Sequence, residues 1–144
     1  MLGHKLRHGG VNIVRRYAEH LPAIMAHGGE LNQVWTNILD NAIHALGGRG
    51  TITITTSLKD PYVNVDIEDN GPGIAPDLIG RIFDPFLTTK QPGEGTGMGL
   101  DACQRIIAQQ HRGCINVNSR PGRTVFHVAL PVHPPEDASR GPLQ

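Results

Sequence analysis

Two asparagines, Asn37 and Asn41, stand four residues apart in ELNQVWTNILDNAIHAL, so on a helix their amides lie one turn apart on the same side. Both are poor helix formers set among Ile38, Leu39 and Ala42, and a carboxamide oxygen is a hard, uncharged ligand suited to Mg²⁺ beside phosphates. The spacing is equally compatible with two amides that hydrogen-bond a neighbouring loop. Residues 69–74 read DNGPGI. A carboxylate at the end of a strand can accept a hydrogen bond from an exocyclic amine, while Gly71 and Gly73 permit close backbone approach to a flat ligand. Taken alone, the same letters also describe an ordinary Asp-Gly turn.

A second glycine cluster, GTGMGL at residues 95–100, opens a helical pattern, where free N–H groups and the helix dipole favour an anion such as phosphate. Its G-x-G-x-G spacing is not the G-x-G-x-x-G of dinucleotide folds, and no P-loop occurs in the chain. Between the clusters, residues 83–90 read FDPFLTTK. Phe83 and Phe86 suit the base of a loop or the core, and Lys90 suits a phosphate contact.

The elements that must position these residues follow from periodicity. Residues 11–17 alternate as a strand. From Glu30 to Leu46, apolar residues at 31, 34, 35, 38, 39, 42, 43 and 46 form one broad helical face, closed by Gly47-Gly48. Residues 51–58 and 62–68 read as an antiparallel hairpin, and residues 76–82 as a short helix. Pro, Gly, Thr and Lys interrupt every pattern from 84 to 95, a mobile loop. Leu100, Cys103, Ile106 and Ile107 mark a second helix over 98–110, and residues 114–119 and 124–130 a closing hairpin. This order predicts an α/β (α+β) two-layer sandwich, with helices on one face of a mainly antiparallel sheet and a polar or covered opposite face.

The chain has 144 residues, enough for one core, and thirteen basic residues balance thirteen acidic ones. No charge excess points to nucleic acid or an anionic membrane, and no apolar run suits a spanning helix or a signal peptide. Two cysteines without metal-type spacing fit reduced thiols in a cytoplasmic protein.

Taken in order, N-x-x-x-N-A, D-x-G-x-G, F-x-P-F-x-T-T-K and G-x-G-x-G-L resemble the N, G1, F and G2 boxes of the sensor histidine kinase catalytic domain, within the GHKL ATPase superfamily. The likeness spans about residues 10–131 and includes the ending GRTVFHVALP. It implies a mixed sheet packed on about three helices, with ATP between the helix layer and a lid at 84–95. Carried over by position, Asp69 takes the adenine amino group, Gly71 and Gly73 shape the floor beneath the base, and Thr124 stands on the adenine side. Asn41 ligates Mg²⁺, Asn37 sits beside the phosphates, and Lys90 approaches the γ end. Gly95, Gly97 and Gly99 present N–H groups to the phosphates. The implied ATP-binding set also takes in Ile74, Phe83, Thr96, Met98, Leu100 and His44. His44 replaces a common Lys or Arg and suits either a phosphate, when protonated, or solvent. Met98 replaces the usual leucine at little cost in volume.

Hydrolytic members such as gyrase carry a glutamate at the position of Asn37. An amide cannot take a proton from water, so the resemblance implies phosphoryl transfer to a histidine, with Asn37 and Lys90 as the catalytic pair. None of the eight histidines precedes Glu or Asp, as the family's acceptor does. Residues 1–10 are therefore expected to be the remnant of a linker from missing dimerisation and phosphoacceptor helices, residues 11–131 the catalytic domain, and 132–144 a disordered tail. The expected partners are that phosphoacceptor domain and, indirectly, a response regulator receiver domain. Two alternatives share the fold: a nucleotide-binding regulatory module without transfer, and an anti-sigma-type serine-protein kinase.

Overall fold

The structure, a computed structural model, describes residues 3–8, 10–19, 28–59, 61–84 and 99–132. Six strands form one sheet in the order β1-β2-β3-β4-β6-β5. These are β1 (Gly3–His8), β2 (Val11–Arg16), β3 (Gly50–Lys59), β4 (Tyr62–Asp69), β5 (Cys114–Arg120) and β6 (Arg123–Pro131). Only β2 and β3 run parallel, and the link between them contains helix α1 (Gly28–Leu46). Every other neighbouring pair is antiparallel, so the mixed, mainly antiparallel sheet expected above is what forms.

The face of α1 marked by its apolar spacing is the one it buries. Leu31, Val34, Ile38, Ala42 and Leu46 are buried, while Trp35, Leu39 and Ile43 pack half-buried beside them. Successive strand residues point to opposite faces, so the sheet offers α1 the set Val11, Ile13, Ile52, Ile54, Val65, Ile67, Phe126 and Val128. The opposite face is polar: threonines 51, 53 and 55 alternate along β3, His127 pairs with Asp66, and Arg123 lies 3.2 Å from Glu68.

Helix α2 (Pro76–Ile79) begins with a proline in its first turn, where a missing N–H costs nothing. Helix α3 (Leu100–Gln104) continues directly as a π-helical segment, Arg105–Gln110, where a regular helix is predicted over 98–110. Periodicity conceals the difference, because Leu100, Cys103, Ile106 and Ile107 face the core in either geometry and are all fully buried. The Gly113 N–H donates to the Ile107 carbonyl at 2.8 Å and ends the segment. Cys103 lies between α3 and α1, and burial pushes its thiol up to about 11, so it packs as a neutral apolar group.

At the chain ends, Gly3–His8, within the segment expected to be a linker remnant, pair with β2 along its whole length. Val132, the first residue of the expected tail, is buried, and its N–H donates to the Pro61 carbonyl at 2.8 Å. The remainder of that tail, 133–144, and all of the expected 84–95 loop except Asp84 lie outside the described residues.

Ile38 is fully buried at the centre of α1. Ile38→Ala is expected to lower unfolding stability by about 2–5 kcal/mol in a denaturant titration, the range for a large core truncation.

Candidate nucleotide site

At one end of the sheet, a single row of directly paired residues runs across five strands: Ser119 on β5, Thr124 on β6, Asp69 on β4, Ile52 on β3 and Ile13 on β2. All five share the face that carries the helices. The row is apolar on one side and changes at Asp69 to carboxylate and hydroxyls. Asp69 and Thr124 are each only 4% exposed.

The Asp69 carboxylate sits at the end of β4, where the chain leaves the sheet. Its Oδ1 accepts the Gly71 N–H at 2.9 Å, the short loop bond that Asp favours in turns. Burial pushes this carboxyl above its ordinary value; the Gly71 hydrogen bond opposes the shift and the nearby Glu68 charge adds to it. Other contacts lock the turn from both sides. The Asn70 side chain accepts the Thr51 N–H at 2.8 Å, and the Gly71 carbonyl accepts the Gly122 N–H at 3.0 Å. Ile74 donates its N–H to Ser119 Oγ at 2.8 Å. At Gly73, φ is +91° and a Cβ would stand 2.6 Å from the Arg120 carbonyl oxygen, so no side chain fits there.

Both asparagines lie on helix α1. Asn41 Nδ2 donates to the Asn37 carbonyl at 2.7 Å, one turn back. Asn37 Nδ2 donates to the Gly99 carbonyl at 3.0 Å, so this amide joins α1 to the start of α3. Gly99 has φ +60°, and a Cβ on it would lie 2.9 Å from Asn37 Nδ2. His44 is exposed in the last turn of α1.

The expected site residues are thus distributed as follows. The structure brings Asn37, Gly99 and Leu100 together at the α1–α3 contact, with Asn41 one turn along α1. Asp69, Gly71, Gly73, Ile74 and Thr124 gather at the end of β4 and β6. Leu100 is buried in the core, while Ile74 and Phe83 pack half-buried against it. Phe86, Lys90, Gly95, Thr96, Gly97 and Met98 lie outside the described residues. Ser119 is absent from the expected set although it touches two members of it. Its one signal was its place on an alternating strand opposite Thr124.

The chain belongs to the family of histidine kinase-, DNA gyrase B- and HSP90-like ATPases, whose model matches residues 26–134. Among curated relatives, the sensory histidine kinase/phosphatase NtrB of Rhodobacter capsulatus is 39% identical over 137 residues, covering 86% of this chain and 38% of its own length. The chain therefore spans well under half of that relative. Among solved structures, the catalytic domain of histidine kinase ThkA matches with a TM-score of 0.77 and 34% identity, over 87% of this chain and 80% of that one. ThkA in complex with response regulator protein TrrA matches at 0.73 and 31%, over 86% and 35%. Full-length ShkA in complex with AMPPNP matches at 0.74 and 30%, over 90% and 27%. The fold is that of histidine kinase catalytic domains.

A raised carboxyl value means that ionising Asp69 costs folding free energy, so this contribution to stability is present at low pH and lost as pH rises through the folded value. Asp69→Asn keeps an oxygen for the Gly71 N–H and removes the charge. Its thermal midpoint at pH 7 without nucleotide is expected to equal or exceed that of the unmodified chain. Gly73→Ala, by contrast, should lose about 1–3 kcal/mol in the same measurement from backbone strain alone.

Proposed function

We propose that this chain is the ATP-binding catalytic domain of a sensor histidine kinase, which transfers the γ-phosphate of ATP to a histidine on a separate dimerisation domain. The observation that carries the reading is Asp69, a buried carboxylate at the end of β4 whose Oδ1 accepts a backbone N–H and whose second oxygen is a further acceptor. A charge in that position calls for a donor from outside, and the exocyclic amine of adenine is one. The family match and the likeness to ShkA, solved with AMPPNP, support a nucleotide as that donor.

Within this reading, Asn41 would hold Mg²⁺ through its carboxamide oxygen, the hard-ligand atom of an asparagine. The described residues contain no cluster of three or more acidic, histidine or cysteine side chains, so the cation's remaining oxygen ligands would come from phosphate and water. Bound there, Mg²⁺ would neutralise charge on the phosphates. Asn37 is a hydrogen-bond donor where hydrolytic relatives have a base, which favours transfer to an external nucleophile over hydrolysis. Lys90 is proposed for the γ end. His44, exposed at the end of α1, is a second cation for the phosphates when protonated.

The proposed partners are a phosphoacceptor domain and, through it, a response regulator; ThkA, solved with response regulator TrrA, supports the second. No helix among the described residues is long and apolar enough to cross a membrane. Work on cytoplasmic ATP is proposed accordingly.

Calorimetric titration with ATP, with and without Mg²⁺, tests the reading. Saturable binding is expected, and supplied acceptor helices should then become phosphorylated on histidine. Binding without transfer would favour the regulatory-module reading. Asp69→Asn should weaken ATP binding roughly ten- to a hundredfold, the value of one hydrogen bond to a charged group at roughly 1.5–3 kcal/mol. Since the amine binds the carboxylate form, affinity is full above the raised Asp69 value and falls as pH drops through it. Adenosine, which carries no phosphate to titrate, is the probe for that fall. The fall should begin at a higher pH than an exposed aspartate would give, and Asp69→Asn should abolish it.

A further inference from the structure

We propose that Ser119 is a positioning residue that sets the Thr124 hydroxyl as a hydrogen-bond donor toward the base and thereby helps select adenine over guanine. The proposal rests on the nucleotide reading of the site. Ser119 Oγ accepts the Ile74 N–H at 2.8 Å and lies 2.7 Å from Thr124 Oγ1. A hydroxyl that accepts one hydrogen bond is polarised into a better donor. Either hydroxyl can donate across that contact; the proposal assigns the donation to Ser119, so that the chain runs from the Ile74 N–H to Ser119 and from Ser119 to Thr124. It occupies one lone pair of the threonine and leaves the Thr124 proton for a partner beyond the two hydroxyls.

Thr124 and Asp69 are directly paired on adjacent strands, with side chains on the same face. A donor and an acceptor therefore stand side by side at the end of the sheet, within one cross-strand spacing. Adenine presents the complementary order, an amine beside an acceptor nitrogen. Guanine presents a carbonyl oxygen beside an N–H, the reverse order, and meets carboxylate with oxygen and donor with donor. A threonine with no neighbour to orient it could turn and accept the guanine N–H. Ser119 opposes that turn. It is held in place by the same Ile74 N–H that closes the loop below the base, so the shape of the loop and the direction of the donor are set together.

The experiment measures ATP and GTP affinity by calorimetry for the unmodified chain, Ser119→Ala, Thr124→Val and the double variant. The readout is the ATP:GTP affinity ratio within each variant, from which any loss of folded fraction cancels. Ser119→Ala is expected to reduce that ratio at least fivefold, and to reduce it no further in the Thr124→Val background. Ser119→Thr should retain the ratio and Ser119→Val, its isostere without a hydroxyl, should lose it. That pair decides the matter if Ser119→Ala binds neither nucleotide. An unchanged ratio in Ser119→Ala, or an equal loss with and without Thr124, would overturn the proposal while leaving the nucleotide reading standing. An unmodified chain that binds ATP and GTP alike would overturn both the assignment of Asp69 to adenine and the proposal.

Discussion

Asp69 keeps a carboxylate almost out of water with a single backbone N–H to compensate it, and most of the sheet is arranged to hold it there. Its strand, β4, is paired along its whole length to β3 on one side and to β6 on the other. A buried carboxylate needs hydrogen bonds to compensate its lost hydration, so the framework around it must keep its donor in place. Two full ladders of backbone hydrogen bonds supply that framework. The row that passes through Asp69 begins in Ile13 and Ile52, so the core and the charge share one line of side chains.

Around that charge, backbone groups outnumber side chains as structural ties. Gly71 contributes its N–H to Asp69 and its carbonyl to Gly122, and Ile74 gives its N–H to Ser119. The loop after β4 is thereby fastened to the β5–β6 turn at two points. Glycine at position 73 follows from that closeness, because the Arg120 carbonyl occupies the space of a side chain. On the helical side, the Asn37 amide serves as a bracket between α1 and Gly99, the residue that caps α3.

Much of this was legible in the residues themselves. The helix from Glu30 to Leu46, both hairpins and the place of Asp69 at a strand end follow from periodicity and turn chemistry, and the structure agrees to within two residues on each of those elements. Three features were not legible, for physical reasons. A π-helical turn leaves no mark in a short apolar pattern, since Leu100, Cys103, Ile106 and Ile107 reach the core either way. The strand Gly3–His8 is basic and glycine-flanked, and it owes its existence to pairing with β2 rather than to an apolar alternation of its own. The bonds from Ser119 to Ile74 and from Asn37 to Gly99 span 45 and 62 residues, distances at which only tertiary register decides who meets whom. The boxes marked both ends of the second contact without showing that they touch.

Those separations bear on how the molecule comes into being. The row at the end of the sheet draws on β2, β3, β4, β5 and β6, and β5 enters it only through β6. Closing such distant pairs is entropically expensive and comes late in folding, after the local hairpins and α1 have formed. A ligand held by this row can bind only chains that have finished assembling, so its binding energy is added in full to the stability of the completed state and to none of its precursors. Under the proposed function, binding at this row would thus report that folding has ended.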